Sequence, residues 1–126
     1  MDCTNLIAID THTHAEVSCW NPFDNYGEEY DRAADKYFRS SRRPTIQESI
    51  DYYRERKIGF VMFGVDAESQ LGRRIPNEEI AEAAQQNSDI MIAFASIDPH
   101  KGKMGAREAR RLVEEHGVKG FKFHPT

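Results

Sequence analysis

Four short apolar runs alternate with three amphipathic segments along this chain, and that alternation limits the possible folds more than any other feature. The apolar runs, which we interpret as strands, are 6–10, a stretch within 58–66, 90–98 and 118–124. Near-continuous apolar strands are typical of parallel sheets that are covered on both faces. The order β-α-β-α-β-α-β therefore predicts an α/β domain whose parallel strands are connected by right-handed crossovers.

The three amphipathic segments carry recognisable helix boundaries. Thr45 and Glu48 have the spacing of a capping box, which predicts a helix over 45–57. Asn77 is the predicted N-cap of the second helix, and Gly117 is the predicted C-terminal stop of the third, which covers 104–116. The predicted apolar faces consist of Ile80, Ala81 and Ala84 in the second helix and of Ala106, Ala109, Leu112, Val113 and His116 in the third.

The size and composition of the chain narrow the class of protein. With 126 residues, 39% of them hydrophobic and 30% charged, the chain is expected to form one globular domain. The formal net charge of −4, without a basic stripe, argues against nucleic acid as a partner. No apolar stretch approaches the ~20 residues that cross a bilayer, and the N-terminus lacks a signal-peptide pattern. We therefore expect a soluble cytoplasmic protein with no membrane and no nucleic acid as partner.

One segment, 15–44, is long for a loop between a strand and a helix, and it has room for a short helix over 28–38. Loops after the carboxyl ends of strands carry function in α/β folds. The insertion is therefore interpreted as a lid or pocket wall for an organic, aromatic substrate. The alternative is that its aromatic residues only pack it onto the domain. These residues are Trp20, Phe23, Tyr26, Tyr30, Tyr37 and Phe38.

The first apolar run leads into Asp10, Thr11, His12, Thr13 and His14. Because side chains alternate along a strand, Asp10, His12 and His14 are expected to point the same way. Two imidazoles at this spacing provide half of a metal site, and Asp10 is a candidate to orient one of them. The alternative is a polar strand end with solvated histidines, since His-x-His alone requires structural context.

Polar residues also follow the other three apolar runs, at the edge where functional residues of parallel α/β proteins collect. Asp66 ends the second run and Asp98 ends the third, while Lys122 and His124 end the fourth and share one face of it. Asp66 can equally cap the following turn, and Asp98 can equally form an Asx-turn before Pro99. Three roles are open for Lys122: contact with a substrate carboxylate, pairing with Asp98, or service to a metal centre after modification.

Two runs of residues carry a family resemblance. Residues 9–14 resemble the opening of the amidohydrolase superfamily, and 120–125 resemble the fourth-strand signature of its amidohydrolase-related branch. Residues 96–99 also match the way a third strand ends in that branch. The resemblance implies the first half, about four β/α units, of a distorted (β/α)8 barrel. It further implies that 1–126 is the N-terminal part of one metal-dependent hydrolase domain.

The same resemblance implies one divalent metal ion, most often zinc and sometimes manganese, with His12 and His14 as two of its ligands. A further ligand and the general base would come from strands beyond Thr126, so the isolated chain is expected to lack catalytic activity. Lys122 is assigned no metal role, and His124 is expected to contact substrate.

The implied function is that of a metal-dependent hydrolase whose activated water acts on a small aromatic acid, ester or acyl thioester. Glu16, the insertion and 122–125 suggest a sub-group that acts on aryl compounds, for example by carbon–carbon hydrolysis of an aryl β-ketoacyl-CoA. A non-oxidative decarboxylase of an aromatic or unsaturated acid is the alternative on the same scaffold. A phosphoesterase or nuclease, and a non-catalytic α/β module if the chain ends at 126, are further alternatives. The expected partner is a small-molecule substrate, and two open sheet edges also permit a homodimer.

Overall fold

Four parallel strands form the centre of the fold in the computed structural model, which describes residues 1–20, 32–33, 35–37, 43–71 and 75–124. The strands are β1 (Ala8–His14), β2 (Ile58–Phe63), β3 (Met91–Ser96) and β4 (Gly120–Lys122). They lie in chain order, and every neighbouring pair is parallel. This curled sheet with its helices is the first half of a (β/α)8 barrel, which confirms the predicted fold class.

Helices connect consecutive strands, as parallel pairing requires. Helix α1 (Ile46–Glu55) precedes β2, and α2 (Glu68–Leu71) and α3 (Asn77–Gln86) separate β2 from β3. A 3-10 turn (Pro99–Lys101) leads into α4 (Lys103–His116) before β4. Helices α1, α3 and α4 confirm the three predicted helices, whereas α2 has no counterpart in the prediction. Of the helix considered for 28–38, residues 32–33 and 35–37 are helical, and the rest lies outside the described residues.

The start of α1 is defined by the predicted capping box. The Thr45 hydroxyl accepts a hydrogen bond from the N–H of Glu48 (3.2 Å), and the Glu48 carboxylate accepts one from the N–H of Thr45 (2.9 Å). Two N–H groups that no helical carbonyl can reach are thereby satisfied. The helix ends at Glu55, and Lys57 then turns the chain into β2 with a positive φ of 55°.

The hydrophobic core lies between the sheet and the helices. Its largest fully buried side chains are Phe60 and Met62 of β2, Ile50 of α1, Ile80 of α3 and Leu112 of α4. Each of these helices thus turns one apolar stripe toward the sheet, as expected for helices that cover one face of it. Because the helices cover this face of the sheet, the opposite face is the one available for a functional site.

The opposite face of the sheet, which we call the inner face, is formed by the alternate strand residues. On β2 these are Val61 and Phe63, which do not belong to the helix-side core. On β1, Ile9 pairs with Gly59 and therefore faces the same way, with its side chain 44% exposed. In a complete barrel this face becomes the interior, at whose carboxyl end active sites lie.

Two helix predictions are wrong in detail. Asn77 is not the N-cap of α3, because Pro76 occupies that position and the Asn77 side chain binds the backbone of Ser96 on β3. On α4, Leu112 is buried but Val113 is 47% exposed, so the apolar face is narrower than predicted. Sequence periodicity specifies a stripe, but it does not specify which edge of the stripe meets the sheet.

The strand boundaries also differ from the prediction. Strand β1 starts at Ala8 and continues to His14 instead of ending at Asp10, because its pairing with β2 continues as far as Phe63. The histidine motif is therefore part of the sheet and not of the following loop. Among the described helices, none is long and apolar enough to cross a membrane.

Candidate metal centre

A β-bulge in β1 determines where the side chains of the histidine motif point. Asp10 pairs with Phe60 and Thr13 pairs with Met62, so three residue steps on β1 face two on β2. The extra residue shifts the alternation, which leaves Asp10 and Thr13 on the helix side and His14 on the inner face. The expectation that Asp10 shares a side with the histidines is therefore wrong, because simple alternation does not hold across a bulge.

His12 and His14 form a stacked pair at the carboxyl end of β1. Their ring centroids lie 5.1 Å apart with an interplanar angle of 22°, and their Nε2 atoms are 3.0 Å apart. Both rings meet the Phe63 ring edge to face, at 5.2 and 4.9 Å between centroids. The bulge and the Phe63 ring together direct both imidazole Nε2 atoms toward one point.

The surroundings of His14 favour its neutral form. Burial lowers the pKa of His14 below its ordinary value. Glu16 opposes this shift, whereas His12, Lys122 and His124 lower the pKa further. A neutral imidazole is the form whose nitrogen lone pair is available to a metal ion.

The chemistry and the spacing of the two histidines fit a divalent ion. Tetrahedral zinc with zinc–nitrogen bonds of ~2.0–2.1 Å places two ligand nitrogens about 3.3–3.4 Å apart, which is close to the 3.0 Å between the two Nε2 atoms. Imidazole suits zinc better than manganese, which prefers oxygen ligands. Within the described residues, no group of three or more His, Cys, Asp and Glu side chains could hold a metal ion. This part of the chain therefore offers two ligands and not a complete set.

The Asp10 carboxylate contacts the backbone of His12 and not an imidazole. Its Oδ1 accepts a hydrogen bond from the N–H of His12 (3.0 Å), and its Oδ2 accepts one from the hydroxyl of Tyr53 on α1 (2.7 Å). The bond from His12, followed by that from Tyr53, lowers the pKa of Asp10. Asp10 is thus placed to influence the histidine pair through the main chain.

Lys122 and His124 extend the site along the inner face. The Nζ of Lys122 lies 5.5 Å from the centre of the Phe63 ring, which both histidines of the pair also contact. The charges of Lys122 and His124 both act on His14. Phe121, which precedes Lys122 on β4, packs against the helix-side core, so Lys122 faces the opposite side of the strand. The structure therefore brings two predicted substrate-binding residues to the histidine pair.

Glu16 ties together the two ends of the insertion. Its carboxylate pairs with the guanidinium of Arg43 at 3.1 Å, and these residues lie just inside the beginning and the end of 15–44. Residues 21–31, 34 and 38–42 of the insertion, and with them most of the predicted lid, lie outside the described residues. The described beginning of the insertion lies near His14, on whose pKa Glu16 acts.

Glu79 is a buried residue whose role the sequence prediction missed. Its carboxylate accepts hydrogen bonds from the hydroxyl of Ser18 (2.6 Å) and from the N–H of Cys19 (2.8 Å). It thereby fixes the chain that follows the histidine pair. The one sequence signal was its place in the first turn of α3, where an acidic residue is already explained by the helix dipole.

Asp66 links the carboxyl ends of β2 and β3 by hydrogen bonds. Its Oδ2 accepts hydrogen bonds from the N–H of Asp98 (3.1 Å) and from the Nζ of Lys101 (2.6 Å), and its Oδ1 accepts one from the N–H of Glu68 (3.2 Å). The Asp66 N–H in turn donates to the hydroxyl of Ser96 (2.9 Å). These are the contacts of a turn cap, which was the structural alternative for Asp66.

Asp98 completes the same network. Its Oδ2 accepts hydrogen bonds from the N–H (2.9 Å) and the hydroxyl of Ser69, and its Oδ1 accepts one from the N–H of His100 (2.9 Å). The ring Nδ1 of His100 lies 3.0 Å from the same Oδ1. The contact with His100 is the predicted Asx-turn. A role of Asp66 or Asp98 toward substrate stays a prediction.

The network around Asp98 predicts a pH dependence of stability. Hydrogen bonds from Ser69, and then from His100, hold the pKa of Asp98 well below its ordinary value of 3.8. A carboxyl with a lower pKa in the folded state stabilises the fold above its unfolded pKa, and this contribution disappears as pH falls through the folded pKa. The loss of stability in Asp98→Asn is therefore expected to be constant between about pH 7 and pH 5 and to shrink below about pH 4.

Thermal unfolding of the wild type and Asp98→Asn across this pH range measures the effect. Asp89→Asn, at an exposed carboxylate that pairs with Arg54, is the control. A difference between wild type and Asp98→Asn that does not change with pH would contradict the lowered pKa of Asp98.

A cavity of about 520 Å³ opens beside the histidine pair, between β1 and α1. Thr13 and His14 border it on the strand, and Glu48, Tyr52 and Tyr53 border it on the helix. Its wall is therefore acidic toward the start of α1 and aromatic toward the end. One side of His14 is thereby left accessible to small molecules.

Comparison with known protein families agrees with this geometry. A family model described as amidohydrolase matches residues 9–126, a range that includes the histidine pair and the carboxyl ends of all four strands. No solved structure matches the chain. The matched range covers nearly the whole sequence, and the chain therefore belongs to the amidohydrolase family.

Proposed function

We propose that this protein is a metal-dependent hydrolase in which His12 and His14 hold one divalent ion. The observation that supports this most is the pair of Nε2 atoms 3.0 Å apart at the carboxyl end of β1, in a chain of the amidohydrolase family. Apolar packing alone provides no reason for two converging imidazoles at this position. Zinc is the proposed ion because imidazole nitrogen is a ligand that it prefers, and manganese is the second candidate.

The residues of the chain prepare the place for such an ion. When bound, a divalent ion lowers the pKa of water from ~16 to about 7 and polarises a carbonyl oxygen. Phe63 packs against both imidazole rings and limits their rotation. The surroundings of His14 favour its neutral form, and Asp10 holds the backbone of His12.

Lys122 and His124 are proposed to bind the substrate. Both lie near His14 on the inner face, where a lysine ammonium can pair with a carboxylate or donate to an acyl oxygen. The proposed substrate is accordingly a small organic acid, ester or acyl thioester. Its aromatic character is proposed from the aromatic-rich insertion, whose ends the Glu16–Arg43 pair joins beside the site. An aryl β-ketoacyl-CoA cleaved at a carbon–carbon bond is one substrate of this kind.

A second candidate function is non-oxidative decarboxylation of an aromatic or unsaturated acid. The position of Lys122 favours it, because the substrate of a decarboxylase must present a carboxylate. The two candidates use the same metal pair and differ in the bond that is cleaved. Product analysis separates them, since hydrolysis consumes water whereas decarboxylation releases carbon dioxide.

The test is an activity screen, with added zinc or manganese, of a protein that carries the complete (β/α)8 barrel domain, because the first half alone is expected to lack catalytic activity. The panel contains aryl esters, aryl acyl thioesters and aryl carboxylic acids, and carbon dioxide release is measured in parallel. We expect activity toward at least one class, its loss in His12→Ala, and its retention in His116→Ala at the end of α4. Metal-dependent turnover that persists in both His12→Ala and His14→Ala would contradict the proposed site.

Lys122→Met tests the proposed substrate contact. Removing the charge while keeping the length of the side chain is expected to raise KM for an acidic substrate at least about tenfold, because a charge-assisted hydrogen bond contributes about 1.5–3 kcal/mol. KM for a neutral ester is expected to stay within about twofold of wild type, as no charge pair is lost. Steady-state kinetics on both substrates measures the difference, and an equal rise in both would contradict the carboxylate contact.

A further inference from the structure

The hydroxyl of Tyr53 is connected to the first histidine of the pair through Asp10. Tyr53 donates a hydrogen bond to Asp10 Oδ2 at 2.7 Å, and Asp10 Oδ1 accepts the N–H of His12 at 3.0 Å. One carboxylate thus joins a helix side chain, from 43 residues further along the chain, to the backbone of His12. The two hydrogen bonds use different oxygens, so they do not compete.

The ring of Tyr53 is held in place by its own packing. It stacks on Phe60 of β2, with centroids 4.5 Å apart and an interplanar angle of 20°, and it meets Tyr52 edge to face at 5.4 Å. Burial, and then the bond to Asp10, raises the pKa of Tyr53 above its usual value, so its hydroxyl keeps its proton at neutral pH. Tyr53 is therefore a rigid donor.

The backbone of His12 needs such support because it lies in the bulge. The pairing of β1 with β2 is interrupted between Asp10 and Thr13, and a bulge leaves its extra residue outside the regular ladder. At the far end of the bulge, the Thr13 hydroxyl donates to the carbonyl oxygen of Val61 at 2.7 Å. At the near end, Asp10 fixes the bulge by accepting hydrogen bonds from the N–H of His12 and from the hydroxyl of Tyr53.

We propose that Tyr53 is a positioning residue for the metal pair, which acts through Asp10 and the bulge to keep the His12 imidazole directed at that of His14. This inference rests on the proposed metal-binding function and deepens it. Residues that orient metal ligands from outside the ligand set are typically worth 10–100-fold in metal affinity. Tyr53 reaches His12 only through the Asp10 side chain and the His12 N–H. We therefore expect its effect on metal affinity at the lower end of that range.

The first experiment examines the metal-free protein by NMR. In Tyr53→Phe, we expect the backbone amide signal of His12 to shift and its hydrogen exchange to accelerate, because Asp10 loses one of its two donors. Tyr52→Phe is the matched control: it removes the same hydroxyl from the neighbouring residue, which packs on Tyr53 and Arg56. A His12 amide that responds equally to both variants, or to neither, would overturn the connection.

The second experiment measures zinc affinity of the full chain by competition with a chelator. Tyr53→Phe is expected to weaken binding about tenfold, and Tyr52→Phe is expected to stay within about twofold of wild type. In an Asp10→Ala background, Tyr53→Phe is expected to add less than about a twofold change, since residues that act in series are not additive. Thermal unfolding of the metal-free variants shows whether each one is folded.

The possible outcomes separate this inference from the proposed function. An unchanged zinc affinity in Tyr53→Phe, or the same tenfold loss in the Asp10→Ala background, overturns the positioning role of Tyr53. A wild type that binds no zinc through His12 and His14 overturns the proposed function and the metal role of Tyr53 with it. In that case the NMR comparison still decides whether Tyr53 controls the backbone of His12.

Discussion

Replacing both His12 and His14 with alanine is expected to remove the divalent ion from the protein. In a protein that carries the complete barrel domain, the wild type is expected to retain about one ion per chain, and the double variant is expected to bind at least about a hundredfold more weakly, because each imidazole supplies a direct bond to the metal. Their Nε2 atoms converge to 3.0 Å, and the described residues contain no group of three metal-ligating side chains that could replace them. Elemental analysis after dialysis and titration calorimetry with zinc measure the effect.

The controls for this prediction use the remaining structure of the site. His116→Ala removes an imidazole that contacts Arg111 at the end of α4, and it is expected to leave the bound metal unchanged. The metal-free double variant is expected to unfold close to the wild type, because neither histidine belongs to the helix-side core. If the double variant retains as much metal as the wild type, His12 and His14 are not ligands, and the proposed function loses its main support.

Leu112→Ala is expected to cause the largest loss of stability among single core substitutions in α4. Leu112 is 0% exposed and packs in the core between the helix and the sheet. Truncating a buried leucine removes apolar contact and leaves a cavity, which together cost about 2–5 kcal/mol. Since small domains are stable by only about 5–15 kcal/mol, the variant is expected to lose a large part of its free energy of unfolding.

Val113→Ala is the matched control for Leu112→Ala, because it truncates the next residue of the same helix. Val113 is 47% exposed, and alanine favours a helix more than valine does, so its cost is expected to stay below about 1 kcal/mol. Urea unfolding followed by circular dichroism compares the two. Equal losses would show that α4 packs with the wider apolar face that its sequence periodicity predicts.

Local patterns were sufficient to predict the order of the elements and to identify His12 and His14 as candidate metal ligands. The capping box of α1 involves only Thr45 and Glu48, which are three positions apart, so the local sequence is enough to predict it. The parallel sheet follows from the alternation of apolar runs with amphipathic segments. The histidine pair is visible because its members are two residues apart and because 9–14 and 120–125 carry the family resemblance.

The directions of individual side chains depended instead on contacts between distant parts of the chain. Asp10 turned to the helix side because the register with β2 shifts at the bulge, and no local pattern in β1 encodes its partner's register. The Asn77 side chain does not cap α3 as predicted, because it makes hydrogen bonds with the backbone of Ser96, 19 residues away. The orientation of the Glu79 carboxylate likewise depends on donors in the chain after β1, which lie 60 and 61 residues away in sequence.

The sequence by itself thus determined the fold class, the start of α1 and the two candidate ligands, since each depends on residues close together in the chain. Only the tertiary structure decided that Tyr53 and Asp10 support His12, that Phe63 packs against both imidazoles, and that Asp66 and Asp98 join two strand exits. The physical reason is that strand register and helix rotation are set by packing over the whole domain. A polar side chain then takes whichever buried partner that packing brings within hydrogen-bond distance.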